Sequence, residues 1–118
     1  MNLSKEIAEI KKFNKFQLIE ISDHALSRGK ERGITTDAVM RCISQHDTTI
    51  IQYHKPYEYH NNKDELFLLH GKFKFSGKSN PLHIVIAKNN EHGIHYKVVT
   101  CYIPDKRYFY AYGRKLKR

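Results

Sequence analysis

Apolar residues recur every three to four positions at Leu3, Ile7, Ile10 and Phe13, with Lys and Glu between them. That period predicts an amphipathic helix over 3–14. A short extended segment fits 16–21. Ser22 or Asp23 suits the cap of a second helix, because a side-chain oxygen there accepts an orphan amide of the first turn. This helix is expected to run to about Arg32 and to stop at Gly33, where a left-handed residue is tolerated. Thr35 or Thr36 starts a third helix ending near His46, with Ala38, Val39, Cys42 and Ile43 as its buried stripe. From residue 48 the pattern changes. Stretches 48–53, 65–75, 82–88 and 96–103 are rich in β-branched and aromatic residues, and the polar runs HKPYEYHNNKD, SGKSNP and NNEHG separate them. Such spacing suits an antiparallel meander. The run Leu66-Phe67-Leu68-Leu69 is apolar on both faces, as a central strand would be.

Helices first and strands afterwards, without βαβ alternation, argue for the α+β class. The expected architecture is a set of N-terminal helices packed on one face of a small antiparallel sheet of four to five strands. The other face would be open, and its side chains would be available to a ligand. The 118 residues, 40% of them apolar and with eight Tyr and six Phe, suffice for one core and one domain. Within 1–118 the parts are a helix at 3–14, a helical pair at 22–46, a sheet over 48–112 and a basic tail at 113–118.

The formal charge of +9 points to a polyanionic partner, with RNA or DNA ahead of an anionic membrane. A well-solvated basic protein is the plainer reading. No apolar stretch approaches the roughly 20 residues that span a bilayer, and the N-terminus shows no signal-peptide core. Cys42 and Cys101 lie in apolar runs, form neither a disulfide framework nor a metal motif, and read as buried thiols of a reducing cytoplasm. His92 and His95 sit in a loop around Gly93 without the four tightly grouped N or S ligands usual for zinc, so no metal site is expected. Phosphate-loop, dinucleotide and serine-hydrolase signatures are absent from the sequence, and no cofactor is expected.

The densest chemistry lies in ISDHALSRGKERGI, where His24, Arg28 and Arg32 are four residues apart. On a helix they line one side. An imidazole titrates near neutrality and can act as general acid or base, while two guanidinium groups can hold a phosphate and offset charge growing on it. The competing reading is a solvated helix face with Arg32 paired to Glu31 or Asp37. Lys30 is a further candidate for a substrate backbone, although long basic side chains often only snorkel. In KVVTCYIP, strand alternation places Val98, Thr100 and Tyr102 on one face and Val99, Cys101 and Ile103 on the other. The second set faces the core, so the Thr100 and Tyr102 hydroxyls point outward. His83 shares a face with Val85 and Ala87, which favours a half-buried histidine with a satisfied hydrogen bond over a second catalytic one, and leaves it a candidate substrate contact. His54 and His60 flank Tyr57-Glu58-Tyr59, a loop able to stack on bases or to do nothing. In the tail, Lys106, Arg107, Arg114, Lys115, Lys117 and Arg118 interleave with Tyr108, Phe109, Tyr110 and Tyr112. That mixture suits single-stranded nucleic acid, with Arg107, Arg114 and Lys115 as phosphate contacts. A frayed solubilising tail is the plainer reading.

The order ISDHALSRGKERGITTDAV, then PLHIVIA, then KVVTCYIPD resembles a bacterial domain family of unknown function. Its pattern is a helix with H-A-x-x-R-x-x-x-R-G-I, a second helix, and a small antiparallel sheet ending in a T-x-Y strand. That family looks related to the barnase–EndoU–colicin–RelE group of ribonuclease toxins. The resemblance covers about 19–105. It implies a RelE-like fold and metal-independent RNA cleavage, in which the ribose 2′-hydroxyl attacks the adjacent phosphate and leaves a 2′,3′-cyclic end. It points to His24, Arg28, Arg32 and Thr100 as site residues, with Tyr102 behind them. It also implies an acidic antitoxin or immunity protein as partner, and RNA, free or on the ribosome, as target.

Two other readings stand beside this one. The first is a non-catalytic nucleic-acid-binding module in which helix 36–46 presents Arg41, Gln45 and His46 to a groove. The second is an interaction or inhibitor protein that uses its charge to block nucleic-acid contacts.

Overall fold

A computed structural model of the chain describes residues 2–58 and 63–104, together with the backbone of 109–110 and 115–116. Three helices come first: α1 (Leu3–Lys15), α2 (Asp23–Arg32) and α3 (Thr36–Ser44). The strands are β1 (Ile19–Ile21), β2 (Thr49–His54), β3 (Glu65–Phe75), β4 (Lys78–Asn89) and β5 (His95–Tyr102), with a two-residue pair β6 (Phe109–Tyr110) and β7 (Lys115–Leu116). The class is α+β, as the order of elements predicts.

The sheet runs β1-β5-β4-β3-β2. It is mixed rather than wholly antiparallel, because β1 lies parallel to β5 with Ile19 opposite Tyr96 and Ile21 opposite Val98. The remaining pairings are antiparallel. SGKSNP is not a separating loop. Only Ser76 and Gly77 form the turn, both with positive φ (53° and 77°), and Lys78 already pairs with Phe75. Two central residues at positive φ match the twist of a hairpin, so β3 and β4 run longer than their composition suggests.

The three helices cover one face. Ile10 of α1, Ala25 of α2, and Val39, Cys42 and Ile43 of α3 meet Phe67, Leu69, Ile84, Ile86, Tyr96, Val98 and Cys101 in a single core. Asn14 locks α1 to α3 by donating to the Met40 carbonyl (2.9 Å) and to Ser44 Oγ (2.7 Å). One end of this core is polar. Glu6 accepts two bonds of 3.0 Å from Lys88 Nζ and one from the Tyr96 hydroxyl. A buried carboxylate needs such partners, since losing one would leave an uncompensated charge.

The opposite face is not open at its centre. Leu66, Leu68, His70, His83 and Ala87 all point that way and all are buried. Of the surface expected to be ligand-ready, Val85, Thr100 and Tyr102 are half-buried at one margin. Residues 59–62 and most of the basic tail, including His60, Tyr59, Lys106, Arg107, Tyr108, Tyr112, Arg114, Lys117 and Arg118, lie outside the described residues.

Candidate functional site

Strict alternation misplaces part of β5. Val85 pairs with Thr100 and Ile86 pairs with Val98, so Val99 is an extra residue in a bulge. The bulge shifts the phase of alternation. Val98 thus joins Cys101 in the core instead of facing outward with Thr100, while Val99 is half-buried and Ile103 is exposed. Thr100 and Tyr102 do point away from the helices, opposite Val85 and His83.

The same bulge anchors α2. Ser22 N–H donates to the Val98 carbonyl at 2.9 Å and Ser22 Oγ donates to the Val99 carbonyl at 3.2 Å. Ser22 Oγ also accepts from Ala25 N–H at 3.1 Å, which makes it the N-cap. At the other end Gly33 takes φ 70°, and Ile34 N–H returns to the Gly29 carbonyl at 2.8 Å. This is a Schellman-type stop, completed by the buried Ile34. Gly29 is required for space rather than for conformation, since a Cβ there would sit 2.6 Å from the Ile34 carbonyl oxygen.

Successive helical residues advance about 100°, so His24, Arg28 and Arg32 step round by about 40° each. Ala25 and Gly29 mark the buried side of α2. Arg32 falls close to that side, Arg28 further round, and His24 furthest. The contacts follow this order. Arg32 Nη1 donates to the Cys101 carbonyl at 2.9 Å. Arg28 lies 3.5 Å from Glu31, both well exposed, an ion pair worth little. His24 is exposed. Arg32 is therefore paired neither to Glu31 nor to Asp37; the latter bonds Arg41 at 2.8 Å. Leu26 turns toward α3, lining a groove with Ile34, Thr35 and Thr36. The cationic stripe lies on the far side of α2 from that groove, and its Arg32 end reaches β5 at Cys101, beyond the point where β1 pairing ends.

The structure thus brings Arg32 to the β5 backbone between Thr100 and Tyr102. His24 and Arg28 share the same helix side, but the Thr100 and Tyr102 side chains lie on the other face of the strand. Lys30 is exposed near the α2–α3 groove. Lys115 is placed only by its backbone, opposite Tyr110 in the β6–β7 pair. His54 bonds Glu58 at 3.1 Å, and Tyr57 beside them is exposed. On α3, Arg41 pairs with Asp37, both well exposed, and the Gln45 backbone carbonyl accepts from Lys11 Nζ at 2.7 Å.

Both cysteines are buried. Burial pushes the Cys42 thiol up to about 11. Burial likewise raises Cys101, against a smaller opposing pull from Arg32. Neither is a thiolate at neutral pH, so thiol nucleophilic chemistry is disfavoured.

His83 is fully buried and shares a 3.3 Å hydrogen bond between Nδ1 and the Tyr102 hydroxyl. Sequence reasoning anticipated the hydrogen bond but placed this histidine half-buried and in reach of substrate, whereas it is fully buried. The same reasoning missed His70, which lies opposite His83 on β3 and is also buried. His70 does follow Leu66 and Leu68 at a spacing of two, but only the pairing register shows that it meets His83.

These features define an α+β domain in which a cationic helix stripe lies along one strand of a mixed sheet. The chain belongs to the family described as Domain of unknown function (DUF4258), which matches residues 21–103. That span holds α2, α3 and β2 to β5, and it leaves out α1. No curated protein and no solved structure matches the chain.

Proposed function

We propose that this protein is a small toxin-like endoribonuclease working at the β5 margin through acid–base chemistry of its own side chains. One observation carries the reading. Arg32 is fixed on the Cys101 carbonyl, so the end of the His24–Arg28–Arg32 stripe sits one residue from both Thr100 and Tyr102. An RNA strand crossing that margin meets cations on one side and hydroxyls on the other. His24 takes the proton of a ribose 2′-hydroxyl, and the freed oxygen attacks the adjacent phosphorus. The bond to the 5′-oxygen breaks, giving a 2′,3′-cyclic phosphate and, after protonation, a 5′-hydroxyl. Arg28 offsets charge gathering on the phosphate. Arg32 spends one N–H on Cys101 and keeps the rest of its donors. Thr100 and Tyr102 bond the phosphate or the ribose. The net charge of +9 draws in the polyanion. The same charge suits an acidic antitoxin or immunity protein in the cytoplasm.

The test is cleavage of end-labelled RNA by purified protein, with and without ribosomes. His24→Ala is expected to lower cleavage by about 10²–10⁴-fold, with an unchanged thermal midpoint because His24 is exposed. Absence of cleavage by wild type in both settings, or undiminished cleavage by His24→Ala, sinks the reading. Gel shifts showing a preference for duplex DNA without cleavage would favour a binding module instead.

A further inference from the structure

On the sheet face away from the helices, one row crosses three strands in register. His70 on β3 is opposite His83 on β4, and His83 is opposite Tyr102 on β5. The rings meet edge to face, with centroids 5.9 Å apart for the two histidines and 5.2 Å for His83 and Tyr102. The next row along the strands is Leu68, Val85 and Thr100. An apolar side chain would fill position 83 without desolvating an imidazole. An imidazole adds directed hydrogen bonding, and Nδ1 shares one such bond with the Tyr102 hydroxyl.

We infer that His83 is a positioning residue for Tyr102, fixing the hydroxyl at the β5 margin, with His70 as the wall that holds the His83 ring. The inference rests on the ribonuclease reading for its consequence in catalysis. A phenol on a strand turns about two side-chain torsions, and its hydroxyl sweeps several ångströms with them. Bonding its oxygen to a group that is itself immobile removes that freedom before substrate arrives. Such preorganisation acts on the chemical step rather than on binding.

The experiment pairs kinetics with nitrogen NMR of the full chain. His83→Leu is expected to lower kcat by about 10–100-fold, the usual scale for a supporting shell, while KM stays within about twofold. His83→Asn keeps an amide N–H close to the place of Nδ1 and is expected to recover most of the loss. In a Tyr102→Phe background, His83→Leu is expected to add nothing further. Independently of activity, the Nδ1 resonance of His83 is expected to shift in Tyr102→Phe. Unchanged kcat in His83→Leu, an equal loss in both backgrounds, or an unmoved Nδ1 resonance overturns the inference. If His83→Leu does not fold, His83→Asn and the NMR comparison decide it. If wild type cuts no RNA, the ribonuclease reading fails, and the Nδ1 shift still decides whether His83 holds Tyr102.

Discussion

Gly71 shows how much one missing side chain decides. It lies on β3 where α3 comes closest. A Cβ there would collide with Cys42 Sγ and would lie 2.6 Å from Thr48 Oγ1. Thr48 is itself fixed, since its hydroxyl donates to the Cys42 carbonyl. Neither neighbour has room to yield, so Gly71→Ala is expected to cost about 1–3 kcal/mol through overpacking. A thermal melt checks this; an unchanged midpoint would show that α3 can move away. Arg32 illustrates the same dependence on neighbours in the candidate site. Spacing assigns it to a stripe with His24 and Arg28, yet its guanidinium bonds a carbonyl 69 residues away. All three are exposed, and among them Arg32 is the anchor, because it alone is bonded to the β5 backbone.

Helix α2 is held at both ends by residues whose signals are local. Gly33 stops it, as the sequence predicts, and of the two caps the sequence offers, Ser22 and Asp23, it is Ser22 that serves. Ser22 also does something the sequence does not announce, because its hydroxyl closes onto the Val99 bulge. Thr35 offers a control: it caps α3 by accepting from Ala38 N–H at 3.0 Å. Ser22→Ala is therefore expected to cost about 1–2 kcal/mol, and more than Thr35→Ala. Hydrogen exchange along α2 should rise with it. Equal losses for the two substitutions would mean that the Val99 contact contributes nothing. Strand β5 carries the matching lesson. Alternation correctly turned Thr100 and Tyr102 outward, but it put Val98 with them. One inserted residue reversed the phase, and a bulge has no local composition that marks it.

Across the whole molecule, buried acids set the response to alkali. The Cys42 thiol moves from 9.0 to about 11, chiefly through burial. Tyr53 moves from 10.0 to about 12, through burial and then its bond to Glu65. Burial first, and then Glu6, raises Tyr96 as well. In each case the unfolded chain releases its proton at a lower pH than the folded one. Stability present below pH 9 is then lost as pH climbs from about 9 toward 12. Thermal midpoints are expected to stay level from pH 7 to 9 and to fall above that, with Cys42→Ala softening the first part of the fall. A midpoint flat through pH 11 would count against these burial effects. Among the described residues no helix is long and apolar enough to cross a membrane. The sequence alone determined the helices, the choice of Ser22 or Asp23 and of Thr35 or Thr36 as caps of the second and third, the Gly33 stop, the α+β class and the stripe of His24, Arg28 and Arg32. These depend on period and on contacts within a few residues. Tertiary structure decided the rest: the parallel β1–β5 pairing, the two-residue turn at Ser76-Gly77, the burial of the face expected to be open, the Arg32 anchor and the His70–His83–Tyr102 row. Each of these joins residues through strand register or long-range packing, and neither is written in any short stretch of the chain.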